Sequence, residues 1–193
     1  MRITTKLLLM PVLLAVACVM AGVYGMGHDQ LSYAVSPEYF HHLKFDQFRI
    51  DPARHNRIGA AMVGWSATWW MGLLVGPPLI LIGLLIPDPW AYAVATAKSF
   101  LVAIITAAAV GLFGLALAIP ISVRDRLPHF DFPNGVEHPE AFLEVGVLHT
   151  ASYLGGLIGL FAALIYLIHQ CVQARRKPPG ELAATPSPAM TNR

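Results

Sequence analysis

The feature that most constrains this chain is a series of long apolar runs. Four of them, at about residues 7–26, 58–86, 98–120 and 145–170, contain almost no charged side chain. Each is close to the roughly 20 residues that a helix needs to cross the hydrocarbon core of a bilayer. Over the whole chain 56% of the residues are hydrophobic and 12% are charged, which is outside the usage of soluble domains. The sequence therefore predicts an all-α membrane protein, with four transmembrane helices in an up-down bundle.

Basic residues near the ends of these runs predict the orientation of the bundle. With four spans, six of them fall on one side in short flanks: Arg2, Lys6, Lys98, Arg175, Arg176 and Lys177. Because such flanks stay in the cytoplasm, both termini are predicted to be cytoplasmic. Residues 1–175 form one transmembrane domain with outer loops at 27–57 and 121–144, and the Pro- and Ala-rich residues 176–193 are predicted to be a disordered cytoplasmic tail.

The first apolar run has a second interpretation. Its short basic start and apolar middle also match a secretory signal peptide, with a small-residue cleavage pattern that ends at Ala21. The sequence leaves open whether this run is removed or stays as the first span. Either outcome places the segment that follows on the outer side of the membrane.

The polar segment from His28 to Arg57 changes its backbone signal twice. Residues 31–35 alternate apolar and small or polar side chains, which predicts a short strand or extended arm. Ser36–Pro37 is a helix start signal, and the mixed apolar and charged residues after it predict a short amphipathic helix in a periplasmic cap. Asp51–Pro52 repeats the start signal and predicts a longer helix that leads into the second span.

Prolines punctuate the later spans. Pro77 and Pro78 interrupt the second span and predict a bend past its middle, because each lacks an amide donor and crowds the preceding turn. Asp88 with Pro89 predicts the start of the next helix, and Pro139 predicts the start of the last one.

Histidines are concentrated on the predicted outer side. Seven of the eight fall there: His28, His41, His42, His55, His129, His138 and His149. Imidazole nitrogens and carboxylate oxygens together suit a zinc, copper or iron ion. The candidates at the mouth of the bundle are His28, His55, Glu144 and His149. A histidine inside a span usually has a partner, and a structural hydrogen bond to Ser152, Tyr153 or a loop carbonyl would explain His149 equally well.

A haem is the other cofactor that the histidines suggest. His149 and His169 lie on one helix about 30 Å apart by helical rise, so they cannot share an iron. An outer-side haem ligated by His149 together with His28 or His55 is the remaining arrangement.

Several function classes are disfavoured. The interiors of the second and third spans carry no ionisable group, whereas ion and proton pathways usually keep charged residues at depth. The chain contains no GxSxG, phosphate-loop, HExxH or CxxC motif that would recommend an enzyme. Its net charge of +2 and the lack of a basic stripe interleaved with aromatics argue against nucleic acid.

Three stretches carry a resemblance. They are His28-Asp29-Gln30-x-Ser32-Tyr33-x-x-Ser36-Pro37-Glu38-Tyr39-Phe40, Lys44-Phe45-x-Gln47-Phe48, and His149-x-Ala151-Ser152-Tyr153-Leu154-Gly155-Gly156. Together they resemble a set of bacterial integral membrane proteins without a characterised activity. The resemblance implies four spans and a location in the bacterial inner membrane, and it implies no catalytic role.

These observations give one leading hypothesis and two alternatives. The leading hypothesis is an inner-membrane protein whose periplasm-facing loops serve binding or assembly without catalysis. One alternative is a redox or enzyme component with a transition metal or haem at the periplasmic mouth. The other is an accessory subunit of a larger complex. The expected partners are the lipid bilayer and either other membrane proteins or further copies of the chain.

Overall fold

The computed structural model describes residues 2–118 and 131–176, and in those ranges the chain is helical with no β-strand. The main helices are α1 (Arg2–Val35), α4 (Arg57–Thr68), α5 (Met71–Gly83), α6 (Pro89–Ala118) and α7 (Pro139–Arg176). Between α1 and α4 lie α2 (Pro37–Tyr39), a π-helical turn (Phe40–Lys44), α3 (Phe45–Gln47) and a 3-10 turn (Pro52–Arg54). The tail predicted to be disordered lies outside the described residues except for Arg176, which ends α7.

Three helices, α1, α6 and α7, are long and apolar enough to cross a membrane. The pair α4 and α5 also passes as one span if its bend of 44° is a break within the span. The described chain therefore holds three candidate spans, or four if α4 and α5 count as one. This agrees with a multi-pass membrane protein.

The strand predicted at residues 31–35 is wrong. Helix α1 continues through Gln30 and ends only at Val35. Elongation of an existing helix is cheap, because each added residue gains a hydrogen bond without a new nucleation step. The Ser32 hydroxyl also donates to the His28 carbonyl at 3.0 Å, one turn back, and Tyr33 packs against Phe40 with ring centroids 5.4 Å apart. The alternating pattern thus reflects packing at the end of a long helix.

The bend predicted at the prolines is also misplaced. The break lies at residues 69–70, where the backbone N–H groups of Gly72 and Leu73 bond three residues back to the Trp69 and Trp70 carbonyls. Such tightened turns change the direction of a helix. Pro77 and Pro78 lie inside α5. A proline ring crowds the carbonyl four residues earlier, which for Pro77 is that of Leu73. Leu73 follows the break, so the proline does not account for it.

Most predicted helix starts are confirmed. The Ser36 hydroxyl accepts from the Tyr39 N–H at 3.3 Å, and Asp88 accepts from the Ala91 N–H at 2.8 Å. Helix α7 begins at Pro139. Asp51 caps only the short 3-10 turn, and the longer helix predicted there starts later, at α4, where the Asn56 side chain is the cap.

Neighbouring helices approach through small residues. A Cβ on Gly159 of α7 would lie 2.5 Å from the Ala103 carbonyl oxygen of α6, and a Cβ on Gly155 would lie 2.9 Å from the Ala107 oxygen. Because the residue number falls on one helix as it rises on the other, α6 and α7 are antiparallel. Gly25 of α1 meets the backbone of Gly64 in α4 in the same way.

The two ends of this helix assembly differ. We call one end the basic end. There the Lys6 ammonium donates to the Leu84 carbonyl at 3.0 Å, and α7 ends at Arg176. At the other end, which we call the site end, residues 36–56 pack over α4 and α7. Their core is a set that we call the aromatic cluster: Tyr39, Phe40, Phe45, Ala60, Val63, Phe142 and Val145.

Candidate functional site

Two histidines and an aspartate meet at the site end. His28 and Asp29 lie on α1 and His149 on α7. His28 Nδ1 is 3.0 Å from Asp29 Oδ1, and His149 Nε2 is 3.3 Å from that same oxygen. The side chains of His28 and His149 are 10% exposed and that of Asp29 is 5% exposed. We call these three residues the His–Asp–His site, and their ligand atoms all lie within 4.8 Å of one another.

The orientation of His149 is fixed by its own helix. Its Nδ1 lies 2.9 Å from the Val145 carbonyl oxygen, one turn back. A carbonyl oxygen only accepts, so Nδ1 must carry the hydrogen. In the neutral ring Nε2 then has a lone pair, and this lone pair faces the Asp29 carboxylate oxygen at 3.3 Å. Nε2 can meet the carboxylate oxygen as a donor, when the ring carries a second proton, or as a lone pair shared with a positive ion.

The two ring nitrogens of His28 face two different groups, a carboxylate and a hydroxyl. Nδ1 faces the Asp29 carboxylate, and Nε2 lies 3.0 Å from the Ser152 hydroxyl of α7. A neutral His28 that donates from Nδ1 and accepts at Nε2 satisfies both contacts. Ser152 fits there because Gly111 of α6 has no side chain, and a Cβ at Gly111 would overlap the Ser152 hydroxyl.

Aromatic side chains close the site. The Tyr39 ring lies against His149 with centroids 5.1 Å apart, and Tyr24 lies 5.9 Å from His28. Burial, reinforced by Tyr153 and by the negative charge of Asp29, raises the pKa of Tyr39 to about 12. Tyr39 is therefore a neutral phenol at any ordinary pH. The Tyr24 hydroxyl is buried beside Ser152 and makes no hydrogen bond of standard geometry.

A cavity of about 130 Å³ extends from the His–Asp–His site into the bundle. Its walls come from α1, α4, α5, α6 and α7 and are almost entirely apolar. Representative lining residues are Ala17, Ala21, Val75, Phe100, Ala103 and Ile104. The polar side chains of its lining are those of the His–Asp–His site with Tyr24, Lys44, Thr68, Ser152 and Tyr153. Most of these belong to the site end, so the cavity has one polar end and one apolar end.

Lys44 brings a positive charge to the polar end. Its ammonium lies 5.6 Å from the Tyr39 ring centroid and 5.9 Å from that of Phe48, and it donates to the side-chain amide oxygen of Gln47 at 3.1 Å. Burial lowers the pKa of Lys44, and the negative charge of Asp29 opposes this shift. Lys44 is the last residue of the π-helical turn between α2 and α3, so this turn supplies the positive charge.

Of the four residues proposed from sequence as metal ligands, the structure brings His28 and His149 together. His55 is elsewhere: its Nε2 lies 3.0 Å from the Ile50 carbonyl oxygen and its ring stacks on Phe45 at 4.4 Å. Glu144 is a half-buried residue on α7 and does not belong to the His–Asp–His group.

Sequence reasoning missed Asp29 as a member of the site, and with it Ser152 and Lys44. The signal was present in the first helix. Once α1 is extended past Met26, His28 and Asp29 become helical residues near the end of a span, where a buried carboxylate marks a functional position. Because a strand was predicted at 31–35, the first helix was expected to end before His28, and Asp29 was not recognised as a helical residue.

A second group of acidic and histidine side chains lies on the surface at the same end. One oxygen of Glu38 accepts from the backbone N–H groups of Glu137 and His138 at 3.2 and 3.0 Å, and the other lies 2.9 Å from His138 Nδ1. These bonds lower the pKa of Glu38 and raise that of His138. The group therefore ties α2 to the start of α7.

Comparison with known proteins identifies no relative: no family model, curated protein or solved structure matches the chain. The function is accordingly inferred from the residues of the site.

Proposed function

We propose that this chain is a bacterial inner-membrane protein that binds an amphiphile of the bilayer. The part of the ligand's apolar chain next to the head group occupies the cavity between α1, α4, α5, α6 and α7, and the head group lies against the His–Asp–His site and Lys44. The observation that carries the proposal is the polarity of the cavity, which is apolar along its walls and polar at the site end.

The apolar walls favour a hydrocarbon occupant over water. Water inside a protein needs two to four polar partners, and the apolar part of this cavity offers almost none. The apolar walls gain dispersion contacts when an apolar group fills this space. A segment of an acyl or isoprenoid chain inserted there would therefore stabilise the helix assembly.

The polar end suits a head group that accepts hydrogen bonds. Lys44 supplies a positive charge, and the unpartnered Tyr24 hydroxyl supplies a neutral donor. Asp29 supplies an acceptor for any hydroxyl on the ligand. Fatty acids, phospholipids and isoprenoid quinones share this chemistry, which is one long apolar chain joined to a head group rich in acceptors.

The proposed location follows from charge and helix length. The basic residues near the ends of α1 and α7 support a cytoplasmic location for the basic end. About 20 residues beyond Lys6, the bilayer core ends close to His28. With α4 and α5 counted as one broken span, the protein is a four-span bundle whose site end faces the periplasm, and residues 36–56 form a cap over the site. The head group of the ligand would then bind at the outer boundary of the lipid.

Native mass spectrometry of the protein purified in mild detergent tests the proposal. We expect about one retained amphiphile per chain, and its mass distinguishes a phospholipid, a fatty acid and a quinone. Gly156→Phe should abolish retention, because Gly156 lines the cavity and a Cβ there meets no atom within 4 Å.

The matched control is Leu157→Phe on the next residue. Leu157 is 56% exposed and does not line the cavity, so this variant should retain the ligand. Lys44→Met should weaken retention of an acidic amphiphile while it leaves the apolar walls intact. A wild-type protein without a bound amphiphile, or equal retention by Gly156→Phe, would refute the proposal.

A further inference from the structure

We propose that His28, Asp29 and His149 bind a divalent first-row transition metal ion at the polar end of the cavity. The proposal is independent of the amphiphile, because it rests on the geometry of the three side chains. It replaces the ligand set expected from sequence, keeping His28 and His149, adding Asp29, and leaving out His55 and Glu144.

The first argument is the contact between His149 Nε2 and Asp29 Oδ1. The Val145 carbonyl holds a hydrogen of His149 on Nδ1, so Nε2 faces the Asp29 oxygen at 3.3 Å either with a second proton or with a lone pair. A metal ion between these two atoms takes the place of that second proton and forms one bond to each atom. Both side chains are about one-tenth exposed or less, so bulk water competes little for either atom.

The second argument is distance. Bond lengths of about 2.0–2.1 Å in a tetrahedral zinc site separate neighbouring ligand atoms by roughly 3.3 Å. The Asp29 oxygen lies 3.0 Å from His28 Nδ1 and 3.3 Å from His149 Nε2. These two distances fit an ion, and the two histidine nitrogens lie within 4.8 Å of each other, so this pair is the one that must move closer.

The third argument is the set of groups behind the ligands. Metal-bound histidines usually donate their other ring N–H to a carbonyl, carboxylate or water, which fixes the ring. His149 does so through Nδ1 to the Val145 carbonyl. When an ion takes the Nδ1 lone pair of His28, Nε2 carries the hydrogen and donates to the Ser152 hydroxyl 3.0 Å away, the reverse of the ion-free arrangement. Both rings are thus held with the metal-facing nitrogen directed at Asp29.

Two imidazoles and one carboxylate suit Zn²⁺, Fe²⁺ or Co²⁺, and three protein ligands leave at least one coordination position open. All three residues line the cavity, so the open position is available to a molecule within it. A carboxylate, phosphate or quinone oxygen is the kind of group that would complete the coordination.

Metal binding by the chelator-treated protein in detergent tests the proposal, with Zn²⁺ and Co²⁺ as probes. We expect about one ion per chain by equilibrium dialysis, and visible absorption bands of low-symmetry Co²⁺. X-ray absorption of the zinc form should show nitrogen and oxygen ligands with imidazole scattering. Stoichiometry should fall to near zero in His149→Ala and His28→Ala, and Ser152→Ala should weaken binding by roughly 10- to 100-fold.

Three control variants keep every ligand of the proposed site. His55→Ala and Glu144→Gln remove the two residues that the sequence had suggested, and His138→Ala breaks the exposed group with Glu38 and Glu137. All three should bind metal like the wild-type protein.

The proposal is overturned if the wild-type protein binds no ion saturably, if its zinc spectrum lacks imidazole, or if His138→Ala abolishes binding. The wild-type measurements do not depend on the folding of any variant. Amphiphile retention measured on the chelator-treated protein keeps this test separate from that of the proposed function.

Discussion

The site end and the middle of the helix assembly are held together by different residues. At the site end, Phe40 and Phe45 are fully buried in the aromatic cluster beside polar groups that hydrogen-bond across elements. In the middle, α6 and α7 meet where Gly155 and Gly159 lie against the backbone of Ala107 and Ala103. Large rings fill the first region, whereas backbones in direct contact form the second.

This difference follows from the surroundings of each region. Residues 36–56 carry charged side chains such as Asp46, Arg49 and Arg54, which favour contact with water. Burying aromatic rings in such surroundings removes apolar surface from water and gains the full hydrophobic effect. Between helices in lipid that gain is absent, because acyl chains are as apolar as leucine, and association depends on close van der Waals contact. The His–Asp–His site lies between these two regions, with His149 against Tyr39 and the cavity extending to Ala103 and Ala107.

The largest expected effect is at the site end. Phe45→Ala should destabilise the packing of residues 36–56 by about 3–5 kcal/mol, the usual cost of truncating a buried phenylalanine. Phe45 has no exposed surface and contacts Phe40 at 5.8 Å and His55 at 4.4 Å between ring centroids. Hydrogen exchange of residues 36–56, with thermal unfolding in detergent, measures the loss.

Leu43→Ala is the control for this truncation, because Leu43 lies two residues away and is 37% exposed. It should cost much less than Phe45→Ala. Equal protection of residues 36–56 in the two variants would mean that the rings do not hold this region.

The next largest effect is expected in the middle of the assembly. Gly159→Ala should destabilise it by about 1–3 kcal/mol, the usual cost of overpacking, because the new methyl group meets the Ala103 backbone at 2.5 Å. Gly156→Ala, one turn away on α7, adds a methyl that meets nothing within 4 Å and should be neutral or slightly stabilising. Unfolding in a graded denaturing-detergent titration measures both variants, and equal losses would exclude backbone contact as the cause.

The helical class and the three or four candidate spans could be predicted from sequence, because a bilayer requires long apolar helices. The starts at Ser36, Asp88 and Pro139 were also readable, since a cap or an N-terminal proline acts within a few residues. The end of α1 and the break at residues 69–70 were not, because both depend on contacts with other helices. Ser32 bonds back along α1, and Thr68 donates to the Ala21 carbonyl of α1 at 2.8 Å.

Only part of the candidate site could be predicted from sequence, because the rest depends on contacts between helices. His28 and His149 could be proposed from their places at the mouths of spans. The choice of Asp29 over Glu144 required knowing which faces of α1 and α7 meet, and apolar runs without strong periodicity do not specify that. His55 was misleading because its contacts with Ile50 and Phe45 are purely local to residues 36–56.

The smallest expected effect concerns pH and the surface contact between Glu38 and His138. The pKa of Glu38 is lowered from 4.5, so its contribution to stability is present above that value and is lost as pH falls through the folded-state pKa. The pKa of His138 is raised from 6.5, so its contribution is complete below that value and is lost as pH rises through the higher folded-state pKa. The contact should be strongest between these limits, near pH 5–6.

The two losses should differ in size because Glu38 also accepts from the backbone N–H groups of Glu137 and His138, which do not titrate. Deprotonation of His138 weakens one bond to Glu38, because the neutral ring can still donate from Nδ1 but has lost its charge, whereas protonation of Glu38 weakens three bonds. His138→Ala should therefore abolish the weak fall in melting temperature above pH 6.5 while it keeps a fall in acid, and Glu38→Gln should flatten both. Melting curves at constant ionic strength measure the slopes, and an alkaline slope that survives in His138→Ala would assign it to another group.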